Sequence, residues 1–142
     1  MAITQCQTNS FKAEVYQGVH DLLTDVIKLA LFTDAATLDA STTAYTTTGE
    51  TAGAGYTAGG AVMTGITVAT SATPSANTTY VGFADVSWMG AFTARGALIY
   101  NSSKGNKAIA VLDFGANKTS TTTFLIAMPA NTADSALIRS TT

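Results

Sequence analysis

Apolar residues change their spacing twice along this chain. Phe11, Val15, Val19 and Leu22 recur at three- and four-residue steps, which places them on one face of a helix. Asn9 or Ser10 can accept a bond from a free backbone N–H at its start, and Gly18 suits a left-handed C-cap. A short helix is therefore expected over 9–18. In DVIKLALFT the period drops to two, with Ile27, Leu29 and Leu31 alternating with Val26, Lys28, Ala30 and Phe32. That is the mark of a strand. The opening residues are polar, and 1–10 read as a flexible arm ahead of a single domain at 11–142.

Residues 34–60 carry few apolar side chains and many turn formers. They read as a long loop with one short edge strand near 44–48. Beyond it the pattern is all β. Val62, Thr64, Ile66, Val68 and Thr70 fall on one face of an expected strand, and SATPSANTT reads as a loop. Val81 and Phe83 share a strand face, with Tyr80, Val86 and Trp88 nearby. FTARGALIYN alternates, NSSKGN is a turn of side-chain-bonding residues and glycine, and KAIAVLDF is a strand. GANKTST reads as a turn, TFLIAM as a strand that ends at Pro129, and ALIRS as the last strand. Short strands separated by turn signals imply an antiparallel β-sandwich or barrel rather than a βαβ sheet. Phe83, Trp88 and Phe114 are its expected core aromatics.

Composition adds one feature. The chain has 142 residues, of which 46% are hydrophobic but only 11% charged, against about 25% charged in an ordinary soluble domain. Thr, Ala, Ser and Gly stand where charge is usual. Such a surface fits a chain largely covered in an assembly, and almost equally a secreted or simply Thr-rich one. The net charge is −2, and the seven Lys and Arg are scattered. Nucleic acid needs a basic face and a membrane-surface helix a basic stripe, so neither partner is expected. Cys6 is the only cysteine, which excludes an intrachain disulfide. MAITQCQTNSFK has neither the charged nor the apolar region of a signal peptide.

Candidate chemistry is sparse. GAGYTAGG at 53–60 contains the loose dinucleotide fingerprint G-x-G-x-x-G/A. That motif needs a buried strand before it, a helix after it and an acid about 20 residues on. Here a loop precedes, a strand follows, and the nearest downstream acid is Asp85. A glycine-rich turn bearing Tyr56 is the better reading. His20 is the only histidine; it precedes Asp21, and no serine sits in a G-x-S-x-G elbow. One His and one Cys cannot build a zinc site. No enzyme activity, cofactor or metal is expected. Arg95 lies mid-strand between small residues and calls for a carboxylate partner; Asp85 and Asp113 are the candidates for a structural ion pair.

Several ordered segments carry a family resemblance. These are SFKAEVYQGVHDLLTDVIKLALFT, ATLDASTTAYTTTGETAGAGYTAGG, VGFADVSWMGAFTARGALIYNSS and NKAIAVLDFG. Over roughly 10–139 the chain resembles small tailed-bacteriophage virion proteins of the capsid cement, or decoration, type. The resemblance implies a jelly-roll-like sandwich on the outer capsid surface, made in the host cytoplasm and bridging neighbouring subunits of the major capsid protein. It carries no catalytic residues. Thr4, Gln5 and Gln7 of the arm, with Tyr45 and Tyr56 of the long loop, are the expected capsid or self contacts. A homo-oligomer is expected, a dimer first and a trimer as its alternative. The alternative function is a tail- or fibre-associated module that recognises a host glycan through Tyr45, Tyr56 or Tyr80.

Overall fold

The computed structural model describes residues 2–71 and 77–141; part of the expected SATPSANTT loop, at 72–76, lies outside them. The fold is mainly β, with one short helix and antiparallel sheets packed as a sandwich. The principal sheet has five strands in the order β1-β8-β7-β2-β3, where β1 is Cys6–Gln7, β2 Ile27–Phe32, β3 Ala61–Val62, β7 Thr93–Asn101 and β8 Lys107–Thr119. A three-stranded sheet runs β10-β5-β4, from Ile138–Thr141, Thr78–Gly82 and Thr67–Thr70. The third sheet is a pair, β6 at Val86–Met89 with β9 at Thr123–Ile126.

β2 is buried on both faces, which its alternation alone does not explain. On one face Leu29, Ile99 and Ala110 form a row across β2, β7 and β8. That face packs with Phe11, Val81, Trp88, Phe92 and Phe124 in the larger core. On the other face Ala30, Leu98 and Val111 form a row, covered by Ile3, Ala36 and Leu38. The long loop is thus the lid of a second core, and its few apolar residues are the ones that close it.

Several sequence expectations change. Residues 2–7 are not a free arm. Thr4 N–H donates to Leu38 O at 2.9 Å, Leu38 N–H donates to Ala2 O at 3.0 Å, and Cys6–Gln7 pair with Val111 and Ala110. This pairing is tertiary, so local polarity does not reveal it. The helix, α1, covers Asn9–Tyr16. Its N-cap is Thr8, whose Oγ1 accepts from Phe11 N–H at 3.2 Å. It ends as a Schellman motif: Val19 N–H reaches Glu14 O at 3.0 Å and Gly18 N–H reaches Val15 O at 3.2 Å, with Gly18 at φ +70°. Val15 is exposed, and Val19 and Leu22 lie beyond the helix.

The expected single strand over 62–70 is broken at Gly65, φ +61°, into β3 and β4. β8 runs on through the expected GANKTST turn to Thr119. Its ladder with β7 slips there: from Ala94↔Lys118 to Gly96↔Asp113, β7 advances two residues while β8 advances five. The surplus forms a bulge around Gly115, φ +79°. Within 44–48 the expected edge strand is a single bridge, Ala44 to Lys107.

Candidate functional site

The glycine-rich stretch is an excursion spliced into one sheet edge. Glu50 bridges Phe32, and Thr51 N–H donates to Leu31 O at 2.9 Å. Further along the same edge of β2, Ala61 pairs with Leu29. Between these two pairings 52–60 leaves the sheet and returns as a compact loop with closed ends. Leu31 sits in the gap, and its N–H has no strand carbonyl opposite. Tyr56 folds back and fills the place: its hydroxyl accepts from Leu31 N–H at 2.9 Å and donates to Glu50 Oε1 at 2.7 Å.

Glu50 is the hub of this loop. Oε1 also accepts from Gly59 N–H at 2.7 Å, and Oε2 accepts from Tyr45 O–H at 2.7 Å. Tyr100, from β7, donates to Gly59 O at 2.7 Å and stacks on Tyr45 with centroids 4.6 Å apart. Two glycines permit the close docking. Gly60 has φ +77°, and a Cβ there would overlap the Leu29 carbonyl; a Cβ at Gly55, φ +89°, would overlap Met89 O. The strand–turn–helix that a phosphate cradle requires is not formed by these residues.

Burial first, and then the Glu50 carboxylate, hold the Tyr45 and Tyr56 hydroxyls above the ordinary tyrosine range. The same two causes act on Tyr100. These are neutral phenols donating to an acceptor. Tyr56 packs its ring between Trp88 at 5.9 Å and Phe92 at 5.5 Å. Tyr45 and Tyr56 are thus tied into the loop's own hydrogen bonds, and each packs its ring against other aromatics. Tyr80 is half-buried on β5.

The remaining expected residues fall in three places. Thr4 and Gln5 are exposed along the first segment, where Gln5 Oε1 accepts from Asp113 N–H at 3.2 Å. Gln7 is half-buried, and its Nε2 reaches Arg139 O at 3.4 Å. Arg95 pairs with Asp113 across the β7–β8 ladder. Asp85 takes no part, because its Oδ1 accepts from Met128 N–H at 2.7 Å. Glu50 escapes sequence reasoning because it is one acid in a loop without periodicity; the only signal is that it stands between two tyrosines.

A second polar cluster lies under α1. The imidazole of His20 is fully buried beside Phe11, 5.1 Å away. Its partner is not Asp21. Asn101 Nδ2 donates to Asp25 Oδ2 at 2.7 Å and lies 3.0 Å from His20 Nδ1, while Asn101 Oδ1 accepts from Ser103 N–H at 3.0 Å. The other ring nitrogen, Nε2, faces Glu14 Oε1 at 3.6 Å. Glu14 Oε2 takes Lys107 Nζ at 2.9 Å. The Asn101 hydrogen bond, foremost, keeps the Asp25 carboxyl below its usual range. The cluster ties α1 and the 20–25 turn to the start of β8.

Among the described residues no group of three or more His, Cys, Asp and Glu is placed to hold a metal ion, and no helix is long and apolar enough to cross a membrane. Comparison with known proteins finds no matching family model, no matching curated protein and no matching solved structure.

Proposed function

We propose that this chain is a non-enzymatic structural protein of a phage virion, bound to the outer capsid and bridging neighbouring major capsid protein subunits. One observation carries the reading beyond the sequence resemblance. From Ala40 to Ala84 the only charged residue is Glu50, and three hydrogen bonds inside the loop consume its carboxylate. Between 40 and 60 every exposed residue is Ser, Thr, Ala or Gly, so the outer surface of this docked loop is hydroxyls, methyls and backbone. Charged residues are depleted at the cores of protein interfaces, because burying an unpaired charge costs several kcal/mol. A neutral, shaped plate of this size fits against another protein surface without that cost. Many copies, each touching two lattice subunits, then add weak contacts into firm attachment. A self-associated form, dimeric or trimeric, belongs to the same proposal, as does the jelly-roll strand order that the resemblance implies.

Quantitative mass spectrometry of purified virions tests the reading. Hundreds of copies per particle, released together with capsid stability, are expected. A few to a few tens of copies would assign the chain to the tail, and absence from the particle would remove the proposal.

A further inference from the structure

A wide cleft lies away from the long loop, between α1 and the face of β4, β5 and β10. It has a volume of about 640 Å³, within the range of about 300–1,000 Å³ that suits ligands. Phe11, Val81 and Ile138 form a buried floor. The rim is apolar and exposed: Val15 48%, Tyr16 88%, Leu23 63% and Val68 45%. Among the described residues, half of the large hydrophobic side chains that stand exposed thus gather at one cleft, and such a gathering marks an interaction site.

The cleft also reaches a strand edge. Only alternate residues of β5, Thr79 and Val81, line it, as befits a sheet face. All four residues of β10 line it, both side-chain directions together, as at the edge of a sheet rather than over one face. β10 is the outer strand of its sheet. Its Arg139 carbonyl turns outward, where its partner among the described residues is the Gln7 side-chain amide at the long distance of 3.4 Å. A side chain is holding the place of a strand donor.

Charge narrows the occupant. Lys12 and Arg139 both line the cleft. Among the described residues Lys12 is in none of the ion pairs, and Arg139 is in none either, its donor reaching the Asp134 backbone carbonyl at 2.7 Å. Among the described lining residues the one carboxylate, Asp21, already accepts from Leu23 N–H at 3.1 Å; His20 faces Asn101 and Glu14. Two uncompensated cations therefore flank an apolar trough beside an open edge.

We propose that this cleft takes an extended, acidic segment of the major capsid protein. The segment adds as a strand to the open edge of β10, displaces the Gln7 amide and drops alternate apolar side chains onto Phe11 and Val81. This is strand addition, in which backbone bonds give affinity and pockets for alternate side chains give selectivity. It rests on the reading above, and supplies that reading with a second, separate contact to the shell.

The test uses full-length chain carrying a photoreactive benzoylphenylalanine at Val68 or Leu23, with Thr47 on the long loop as a separate position, irradiated on intact virions. Crosslinks from both cleft positions to one acidic, alternating segment of the capsid protein are expected. The double variant K12E/R139E, checked for folding by its melting curve, should bind stripped heads at least tenfold less well than K118E. Crosslinks from the cleft only to a second copy of this chain, or none while Thr47 still reaches the shell, overturn the inference and leave the capsid reading standing. Absence of the chain from heads overturns both.

Discussion

Removing one oxygen tests how the glycine-rich loop is held. Tyr56→Phe keeps the ring against Trp88 and Phe92 and deletes only the hydroxyl. Two bonds go with it. Leu31 N–H, on a residue with no exposure at all, loses its acceptor, and a buried donor left unpaired costs about 1–3 kcal/mol. Glu50 Oε1 loses the Tyr56 donor, a bond to a charged group worth about 1.5–3 kcal/mol where water cannot replace it. Glu50 is half-buried and keeps Gly59 and Tyr45, so the second loss falls at the low end. The expected total is about 3 kcal/mol. With a urea m-value of about 2 kcal/mol per molar, that is a midpoint lower by about 1.5 M. Amide exchange at Leu31, read by NMR, should accelerate with it. A midpoint within about 0.3 M of wild type, or an unchanged Leu31 amide, would refute the view that the tyrosine replaces a missing strand partner.

Other outcomes follow from the same geometry. Gly60→Ala meets the Leu29 carbonyl from a positive φ and should lower stability by roughly 3 kcal/mol or more, measured by thermal melting; a neutral result would mean the loop can lift off freely. Tyr45 and Tyr56 have hydroxyl pKa values raised in the folded chain, so the unfolded chain loses these protons first as pH rises. Their contribution is whole below about pH 10 and declines above it; urea midpoints across that range should fall less steeply in Tyr56→Phe. A double-mutant cycle on Arg95 and Asp113, each about a quarter exposed at 25% and 28%, should show coupling of about 1 kcal/mol or less but above zero. Deleting 2–7 strips the β1 pairing and the Leu38 bonds, and should lower the melting temperature of the isolated protein.

Strands whose stabilisation is local in pattern were legible. β2 and β7 announce themselves by apolar residues at every second position, and the 102–106 turn by Asn, Ser and Gly. What escaped depends on partners far along the chain. Cys6 and Gln7 look like a polar arm until β8 lies beside them. The break at Gly65 and the bulge at Gly115 need only one residue of positive φ each, and a glycine in a strand pattern does not say whether it bends, bulges or simply packs. The hub at Glu50 was invisible for a related reason: its three donors come from positions 45, 56 and 59, a spacing that belongs to no regular element. Arg95 was readable because a charge among small strand residues demands a partner on a neighbouring strand, although choosing Asp113 over Asp85 required the register.

The excursion at 52–60 has a consequence for how this chain can change. The sheet edge accepts Glu50 and then Ala61 on nearby rungs of β2, so the ladder does not register how many residues lie between them. Lengthening a loop whose ends are already closed costs little, about 0.6 kcal/mol per doubling. Thr57 and Ala58 are exposed at its turn, between the Tyr56 anchor and the Gly59 contact. Foreign sequence joined there would grow outward while both anchors and the sheet stayed as they are. The same splice that hides a glutamate inside the fold thus provides a port through which new surface can be added without rebuilding the scaffold.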